Sequence, residues 1–378
     1  MPVTVAVVRE TAANERRVAL VPDVAKKLKS LGAAVVMQAG AGDPTHLPDA
    51  SFPADVEKLP DAKAALARGD IVFKVQPPTL EEIAAMREGS VYIGMLQAHT
   101  APERTKALRD RKITSFAMEL LPRTTRAQAM DILSSQAGMA GYKAVLIAAQ
   151  QSPKFFPMLT TAAGTVRPSK VLIVGAGVAG LQAIATARRL GAQVEGFDVR
   201  PEVKEQIESL GAKFLDLGVS ASGSGGYARE LTAEERAEQQ RRLGEHLKGI
   251  DVVVTTAAVP GRPAPKIITK AMVEGMKAGS VLVDLAAETG GNCEVTVPGQ
   301  TITHGAVTIV GPVNLPSMGA IHASEMYAKN LFNFASLMIK DGALNLDWND
   351  ELIAKTCLTH AGEIKHEATK KLVEGASA

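Results

Sequence analysis

The stretch Lys170-Val-Leu-Ile-Val-Gly-Ala-Gly-Val-Ala-Gly-Leu-Gln-Ala-Ile-Ala-Thr-Ala-Arg-Arg-Leu-Gly-Ala-Gln-Val-Glu-Gly-Phe-Asp198 decides the fold. Its apolar run Val171–Val174 predicts a buried strand, and the following pattern predicts a helix that ends near Leu190. A second strand is predicted at 193–197, directly before Asp198. The stretch is therefore typical of a strand–turn–helix–strand unit in a parallel α/β domain.

Three glycines between the first strand and the helix, Gly175, Gly177 and Gly180, follow the order G-x-G-x-x-G. In dinucleotide-binding domains they allow a tight turn, close approach of the pyrophosphate and close helix packing, respectively, and the helix N-terminus faces the phosphates. Asp198 follows Gly175 by 23 positions (198 − 175), where a carboxylate accepts ribose hydroxyls and favours NAD over NADP. Arg200 leaves NADP open, and a packing turn without ligand is the other alternative.

Length and composition indicate a globular protein of two α/β domains, because 378 residues exceed the usual size of one. The net charge of +2 gives no indication of a nucleic-acid partner. Cys293 and Cys357 cannot form a disulfide framework and lack metal-ligand spacing, so we expect a reducing, cytoplasmic compartment and no metal. The apolar segments are also too short or too interrupted for a membrane span.

Alternating strand and helix patterns before and after the glycine motif predict two open doubly wound parallel-sheet domains. We expect a Rossmann NAD-binding domain, residues 134–321, inserted into a Rossmann-like or flavodoxin-like domain formed by residues 1–133 and 322–378. A helix beginning at Ala323 is predicted to return to the first domain, and the tail at 346–367 to add short strands or a hairpin there.

Two further segments stand out between the strands. Residues 127–151 predict one long helix, in which Gly138 and Gly141 each cost about 1 kcal/mol against Ala and so suggest close neighbours. Residues 218–234 predict a flexible loop around Tyr227, either a lid that closes over a ligand or a solvated insertion.

Polar side chains crowd the segment from Arg123 to Ser134 at the predicted domain junction. On one continuous helix, Gln128, Asp131 and Ser134 would share a face. With Arg123 they could orient a nicotinamide amide and its ribose. A helix cap with an Arg–Asp pair is the alternative that the residues leave open.

The chain resembles the NAD(H)-binding component of proton-translocating nicotinamide nucleotide transhydrogenases over essentially its whole length. The motifs that carry the resemblance are Arg123-Thr-Thr-Arg-Ala-Gln-Ala-Met-Asp-Ile-Leu-Ser-Ser-Gln136, Phe156-Pro-Met-Leu-Thr-Thr-Ala-Ala-Gly-Thr-Val166, Gly175-Ala-Gly-Val-Ala-Gly-Leu-Gln-Ala-Ile-Ala-Thr-Ala187, Gly225-Gly-Tyr-Ala228, Thr255-Thr-Ala-Ala-Val-Pro-Gly-Arg-Pro-Ala-Pro265, Asp284-Leu-Ala-Ala-Glu-Thr-Gly-Gly-Asn-Cys293 and Asn314-Leu-Pro-Ser317.

The resemblance implies direct hydride transfer between NADH on this chain and NADP⁺ on a partner subunit, with proton translocation in membrane-spanning subunits. It further implies a homodimer, peripherally attached at the cytoplasmic side of the membrane, and separate polypeptides for the other components. The residues expected at the nicotinamide and its ribose are Arg123, Gln128, Asp131 and Ser134. Those expected to bind the rest of the nucleotide are Gly175, Gly177, Val178, Ala179, Gly180, Asp198, Val199, Arg200, Tyr227, Thr256 and Ala257.

Two alternatives remain on the sequence. Alanine dehydrogenase, a relative of the same fold, uses an Arg, a Lys and a His on its keto acid. Arg17 and Lys74 match the first two, but Gln97 stands where the histidine is expected, and a carboxamide cannot shuttle protons. His99 restores that chemistry only if the alignment slips by two residues. Otherwise Arg17 and Lys74 are expected to form structural or interface pairs. The other alternative is a non-catalytic NAD-sensing module.

Overall fold

The computed structural model of the chain describes residues 2–221, 229–258 and 261–375 and divides into two compact α/β units. Unit 1 comprises Met1–Gln136 and Ser317–Ala378, and unit 2 comprises Ala137–Pro316. Each unit carries an open, largely parallel sheet, which confirms the predicted fold class of one doubly wound domain inserted into another.

The elements are numbered in chain order. The strands are β1 (Thr4–Val7), β2 (Ala34–Gln38), β3 (Glu57–Leu59), β4 (Ile71–Lys74), β5 (Val91–Gly94), β6 (Thr114–Ala117), β7 (Leu159–Thr161), β8 (Gly164–Val166), β9 (Lys170–Val174), β10 (Gln193–Phe197), β11 (Lys213–Phe214), β12 (Val252–Thr255), β13 (Val281–Asp284), β14 (Thr301–His304), β15 (Val307–Val310), β16 (Ile339–Lys340), β17 (Ala343–Leu344), β18 (Cys357–His360) and β19 (Glu363–Ile364). The α-helices are α1 (Pro22–Ser30), α2 (Ala62–Arg68), α3 (Leu80–Ala85), α4 (Pro102–Asp110), α5 (Ile132–Gln151), α6 (Val178–Arg189), α7 (Lys204–Ser209), α8 (Ala233–Leu247), α9 (Lys270–Glu274), α10 (Ala320–Ala335), α11 (Glu351–Thr356) and α12 (Glu367–Gly375).

The sheet of unit 1 has the order β19-β18-β6-β5-β4-β1-β2-β3. Strands β1 to β6 run parallel to one another, in the 3-2-1-4-5-6 order of doubly wound folds. Successive strand residues enter different cores: Val5 packs in one apolar cluster and Ala6 in the other. The sheet is therefore covered on both faces, which explains why β4, β5 and β6 read as unbroken buried runs.

The C-terminal segment completes unit 1. Strand β18 pairs antiparallel with β6 and then forms a hairpin with β19, as the tail was predicted to do. Helix α10 buries Tyr327 and Phe334 in the core of unit 1, and the Phe334 ring meets that of Phe116 edge-on at 5.2 Å.

The sheet of unit 2 has the order β11-β10-β9-β12-β13-β15-β14. Its first strand, β9, lies between β10 and β12, and every pair is parallel except the β14 edge. Val171 and Ile173 enter one apolar cluster, and Leu172 and Val174 the other. The glycine motif thus follows the strand at the point where the order reverses, where ligands bind in open α/β sheets.

Helix α5 differs from its prediction. It begins at Ile132 instead of 127, because Thr125–Met130 form a 3₁₀ helix and the extended backbone of Asp131 separates the two. The expectation about its glycines is correct at one of two positions. A Cβ on Gly141 would lie 2.0 Å from the Ala179 carbonyl oxygen, whereas a Cβ on Gly138 would meet no described atom within 4 Å.

Two features escaped the sequence. The antiparallel hairpin β7–β8 stands apart from the large sheet of unit 2, and all six of its residues are exposed. Strand β3 extends the sheet of unit 1 beside β2. Within the described ranges, none of the helices combines the length and apolar character needed to cross a membrane.

Candidate functional site

The turn between β9 and α6, residues 175–180 and here called the glycine turn, needs glycine at both of its ends. Gly175 has a φ of +97°, which L side chains rarely adopt, and its N–H donates to the Phe197 carbonyl at 2.8 Å. A Cβ on Gly180 would lie 1.9 Å from the Gly175 carbonyl oxygen. Helix α6 therefore rests against the strand end as the motif predicts.

Gly177 has a different environment. It precedes the first residue of α6, and a Cβ there would meet no described atom within 4 Å. Gly177 and Val178 are both exposed, so the first turn of α6 presents its backbone to solvent. An open surface at a helix N-terminus, with its N–H groups and dipole, fits a dinucleotide pyrophosphate.

The residues after β12 lie directly beside the glycine turn. The Thr256 N–H donates to the Val174 carbonyl at 2.8 Å, and the Thr256 hydroxyl donates to the Gly175 carbonyl at 3.0 Å. A Cβ on Gly175 would come within 3.1 Å of the Ala257 nitrogen. Thr256 and Ala257, two residues expected to bind the nucleotide, therefore adjoin the turn.

Asn292 fixes this loop and was not singled out from the sequence. Its side-chain oxygen accepts from the Ala257 N–H at 3.0 Å, and its amide donates to the carbonyls of Ala257 and Pro265 at 2.7 and 3.0 Å. The residue is fully buried. A Gly-Gly-Asn sequence gives no sign of such a role, because the two carbonyls it bonds become neighbours only in the fold.

Asp284 at the end of β13 holds the segment that carries Asn292. It is fully buried and accepts from the Thr255 and Thr296 hydroxyls and from the Ala286 and Cys293 N–H groups, at 2.7 to 3.1 Å. Since these four donors all lie within unit 2, Asp284 has a structural role: it connects the ends of β12 and β13 to the segment around Cys293.

Asp198 ends β10 beside the glycine turn, as predicted. Its Oδ2 accepts the Ala176 N–H at 2.8 Å and Nη2 of Arg200 at 2.7 Å. Its Oδ1 accepts the N–H and Nε of Arg200, each at 2.9 Å. The backbone of the neighbouring Val199 accepts from the Ala221 N–H. The arginine that left the nucleotide preference open is therefore an ion-pair partner of the acid.

In unit 1 the structure separates residues that the sequence placed on one helix. Gln128 lies exposed on the 3₁₀ helix, whereas Ser134 lies in the first turn of α5. Asp131 joins the two elements: it accepts from the Ser134 N–H at 3.0 Å and the Ser134 hydroxyl at 2.5 Å. The prediction that Gln128, Asp131 and Ser134 share one helical face is wrong, because Asp131 caps α5 and the helix starts only after it. Arg123 is exposed on the same segment.

Arg126 forms an ion pair with Asp350 and does not contact Asp131 or Ser134 among the contacts of the described residues. Its guanidinium pairs with both carboxylate oxygens of Asp350, which also caps α11 by accepting the Leu352 N–H. The 3₁₀ helix that carries Gln128 is thereby tied to the C-terminal segment of unit 1.

Arg17 and Lys74 form buried ion pairs within unit 1. Lys74 contacts Glu10 at 3.2 Å and Glu82 at 2.8 Å. Burial opposes its charge, but these carboxylates raise the pKa of Lys74. Arg17 donates to Glu15 from Nε at 2.8 Å and from Nη2 at 2.6 Å.

The carboxylates of this cluster respond in opposite directions. Burial raises the pKa of Glu10 despite the neighbouring Lys74. Burial also opposes the ionisation of Glu15, but hydrogen bonds from Arg17 prevail and lower the pKa of Glu15 to about 2. One acid of the cluster is thus stabilised in its neutral form and another in its charged form.

Gln97 occupies a strained position after β5. Its φ is +46°, and its N–H donates to Oε1 of Glu119 at 2.6 Å. Burial raises the pKa of Glu119. His99 lies two residues further on, in the turn before α4. Tyr227, the predicted lid residue, lies outside the described residues.

A doubly wound unit with an open glycine turn and an acid at the end of its second strand defines the class of Rossmann-type dinucleotide-binding proteins. Two family models narrow this class. The model described as Alanine dehydrogenase/PNT, N-terminal domain matches residues 6–140, and that described as Alanine dehydrogenase/PNT, C-terminal domain matches residues 144–367. The chain belongs to this family of oxidoreductases.

Relatives within the family differ in their similarity to the chain. A Rhodospirillum rubrum protein, named as the first part of NAD(P) transhydrogenase subunit alpha, is 46% identical over 376 residues, which cover 96% of this chain and 98% of the relative. A solved transhydrogenase structure from Sinorhizobium meliloti matches with a TM-score of 0.85 and 43% identity, over 97% of this chain and 99% of that one. A solved L-alanine dehydrogenase matches with a TM-score of 0.81 but 26% identity, over 99% and 100% of the two chains.

Proposed function

We propose that this chain is the NAD(H)-binding component of a proton-translocating transhydrogenase and that it passes a hydride directly between NADH and NADP⁺ held by a partner subunit. The observation that carries the proposal is the open glycine turn beside Asp198, in a chain nearly half identical to a transhydrogenase alpha subunit along its length.

In the proposed reaction the chain only has to orient the nicotinamide of the bound NADH. NADH, when bound, supplies the hydride, and no proton has to be removed from it, so no general base is required. Gln128, Asp131 and Ser134 offer a carboxamide, a carboxylate and a hydroxyl. Because Ser134 donates twice to Asp131, this carboxylate is held in one orientation before any ligand arrives. We assign these three residues and Arg123 to the nicotinamide and its ribose.

Alanine dehydrogenase activity is the rival that the family leaves in play. Two observations disfavour it. Both cations that could bind a keto-acid carboxylate, Arg17 and Lys74, are engaged by buried carboxylates of unit 1. The position of the expected proton-shuttling histidine holds Gln97.

Isotope transfer tests the proposal directly. The chain is mixed with NADH that carries deuterium at the transferred position of C4, NADP⁺ and an NADP(H)-binding transhydrogenase component. We expect the label in NADPH, and none in water, because the hydride moves without exchange. In a separate mixture of chain, NAD⁺ and L-alanine we expect no NADH. Reduction of NAD⁺ that depends on L-alanine would identify the chain as an alanine dehydrogenase. Deuterium that stays in NADH would favour the non-catalytic NAD-sensing module.

The polar segment of unit 1 has its own test. In Gln128→Ala and Asp131→Asn variants we expect hydride transfer to fall at least about tenfold, with NADH affinity changed less than about threefold, because orientation loss acts on the rate. Asparagine keeps the ability to cap α5. The matched controls are Gln206→Ala, exposed on α7, and Asp61→Asn, the cap of α2. Equal losses in rate and affinity would reduce the segment to a binding or structural role.

We also infer a homodimer that attaches peripherally to membrane-spanning subunits at the cytoplasmic side. Hairpin β7–β8 supports the dimer. All six of its residues are exposed, and it follows Phe155 and Met158, which are exposed by 57% and 65%. An isolated two-stranded ribbon is marginally stable in water. Light scattering should give twice the mass of one chain, and Val166→Lys should shift it towards one. Leu210→Lys, at an exposed apolar residue after α7, is the control; a hairpin variant that stays dimeric would remove the hairpin from the interface.

A further inference from the structure

The ribose-accepting carboxylate of unit 2 is already saturated by the chain itself. Four donors of the described chain reach Asp198: the Ala176 N–H, the Arg200 N–H, and Nε and Nη2 of Arg200, all between 2.7 and 2.9 Å. An ionised carboxylate offers about four lone-pair positions. A ribose diol therefore gains its two hydrogen bonds only where another donor leaves.

The ion pair between Asp198 and Arg200 is largely buried and does not lie on the surface. The side chains of Asp198 and Arg200 are exposed by 7% and 14%. Water replaces the lost partner poorly at such a site, so that removal of one ion from a pair of this kind is costly unless a new donor takes its place. The carboxylate thus needs a donor at all times.

The donors differ in whether they can leave without backbone movement. The Ala176 N–H belongs to the glycine turn, and the Arg200 N–H is fixed two residues after Asp198 by the chain that connects them. The guanidinium, by contrast, sits at the end of a long side chain with several rotatable bonds. It is the exchangeable partner.

Resting on the proposed function, we propose that Arg200 is an internal competitor for the ribose of NAD(H): the nucleotide takes Asp198 only as the guanidinium leaves it, and this exchange sets the affinity and the preference for NAD(H) over NADP(H). Each ribose hydrogen bond replaces one from Arg200, so the net gain on binding is small. A chain that must release NAD⁺ after every turnover benefits from such a balance, because weaker binding appears mainly as faster dissociation.

If Arg200 competes with the ribose, removal of its guanidinium should change the NADH affinity in the opposite direction to that expected from charge alone. NADH carries a pyrophosphate, so loss of a nearby positive charge should weaken its binding by simple electrostatics. If Arg200 competes for Asp198, loss of the guanidinium should instead strengthen it. For Arg200→Met we expect an NADH dissociation constant about 3- to 10-fold lower than that of the native chain, because the ribose then displaces no partner from Asp198; this factor corresponds to about 1 kcal/mol.

Calorimetric titration of the full chain with NADH, NADPH, 5′-AMP and 2′-deoxy-5′-AMP tests this. The gain of Arg200→Met should appear with 5′-AMP and shrink with the 2′-deoxy compound, since the released acceptor serves the ribose hydroxyls. Asp198→Asn should lose NADH affinity and gain NADPH affinity, because the guanidinium can then meet a 2′-phosphate. Arg241→Met, which breaks an exposed pair with Glu238 on α8, is the control and should change nothing.

Each result decides the matter. Arg200→Met that binds NADH equally or more weakly overturns the competition but leaves NADH binding, and thus the proposed function, intact. A native chain that binds no NADH overturns both. Arg200→Lys keeps the charge without the two-pronged contact and should bind NADH with intermediate strength, which preserves the test if the methionine variant unfolds; thermal unfolding without ligand establishes that.

Discussion

Gly177 and Gly180 stand three residues apart, yet the space around them differs. A methyl group on Gly177 meets open space in the described chain, whereas one on Gly180 collides with the Gly175 carbonyl. We expect Gly177→Ala to leave the free energy of unfolding within about 0.5 kcal/mol of the native value. NADH affinity should nevertheless drop at least about tenfold, because the methyl group occupies the approach of the pyrophosphate.

The Gly180→Ala variant is the matched comparison. It should lose about 1–3 kcal/mol of stability as well as NADH affinity, because α6 or the strand end must move. Urea denaturation and NADH titration of both variants separate the two effects. If Gly177→Ala binds NADH like the native chain, the phosphates do not approach at that residue.

Residue identity alone predicted some of the candidate site. Asp198 and the three glycines lie together because their spacing along one strand–turn–helix–strand unit is local and fixed by regular geometry. Asn292 escaped notice because its partners, Ala257 and Pro265, lie 35 and 27 positions away. The pairing of Asp198 with Arg200 is local, but two residues in sequence do not reveal that a side chain folds back.

At the scale of elements, helix α5 contains two glycines that serve different purposes. Gly138→Ala should stabilise unit 2 by about 0.5–1 kcal/mol, since alanine is the better helix former and no described atom opposes its methyl group. Gly141→Ala should destabilise it by about 1–3 kcal/mol and weaken NADH binding, because the Ala179 carbonyl in the first turn of α6 must give way. Urea midpoints of the two variants provide the measurement; a Gly141→Ala variant as stable as the native chain would show that α6 adapts.

The sequence predicted the strands and helices that follow a simple period. The strands predicted at 34–38, 114–117, 252–255 and 307–310 match β2, β6, β12 and β15 at both ends, and most residues of these strands are buried. The predicted start of α5 lies too early in the chain because Ala127–Met130 continue an apolar pattern. The capping by Asp131, which sets the true start, depends on a side-chain contact that the pattern does not show. Hairpin β7–β8 was missed because its six exposed residues follow neither a buried run nor a strict alternation.

At the scale of the whole molecule, the buried charges of unit 1 tie its stability to pH. Glu15 has a pKa of about 2 in the fold against an ordinary 4.5, so the stability it contributes is present above pH 4.5 and is lost as the pH falls towards 2. Glu10, whose pKa is raised, contributes with the opposite sign, and its contribution declines as the pH rises above its ordinary value.

We therefore expect the unfolding free energy to fall between pH 4.5 and 2 more steeply in the native chain than in Glu15→Gln, by about 2 kcal/mol over that window. Urea denaturation at a series of pH values measures the difference. Glu81→Gln, at an exposed residue of α3, is the control and should follow the native curve. Parallel curves for Glu15→Gln and the native chain would mean that Glu15 has the same pKa folded and unfolded.

The return of the C-terminal segment to unit 1 has a consequence for the nascent chain on the ribosome. Strand β18 joins β6 through partners such as Ser115 and Thr359, which lie 244 positions apart. Unit 2, which ends at Pro316, can be complete while β6 is still an open sheet edge. Cys357 follows Ala117 by 240 positions (357 − 117), so at translation speeds of about 5–20 residues per second that edge stays uncovered for on the order of 10–50 s. Chaperone dependence during synthesis should therefore arise from unit 1, whose N-terminal segment is made first, and not from the inserted unit.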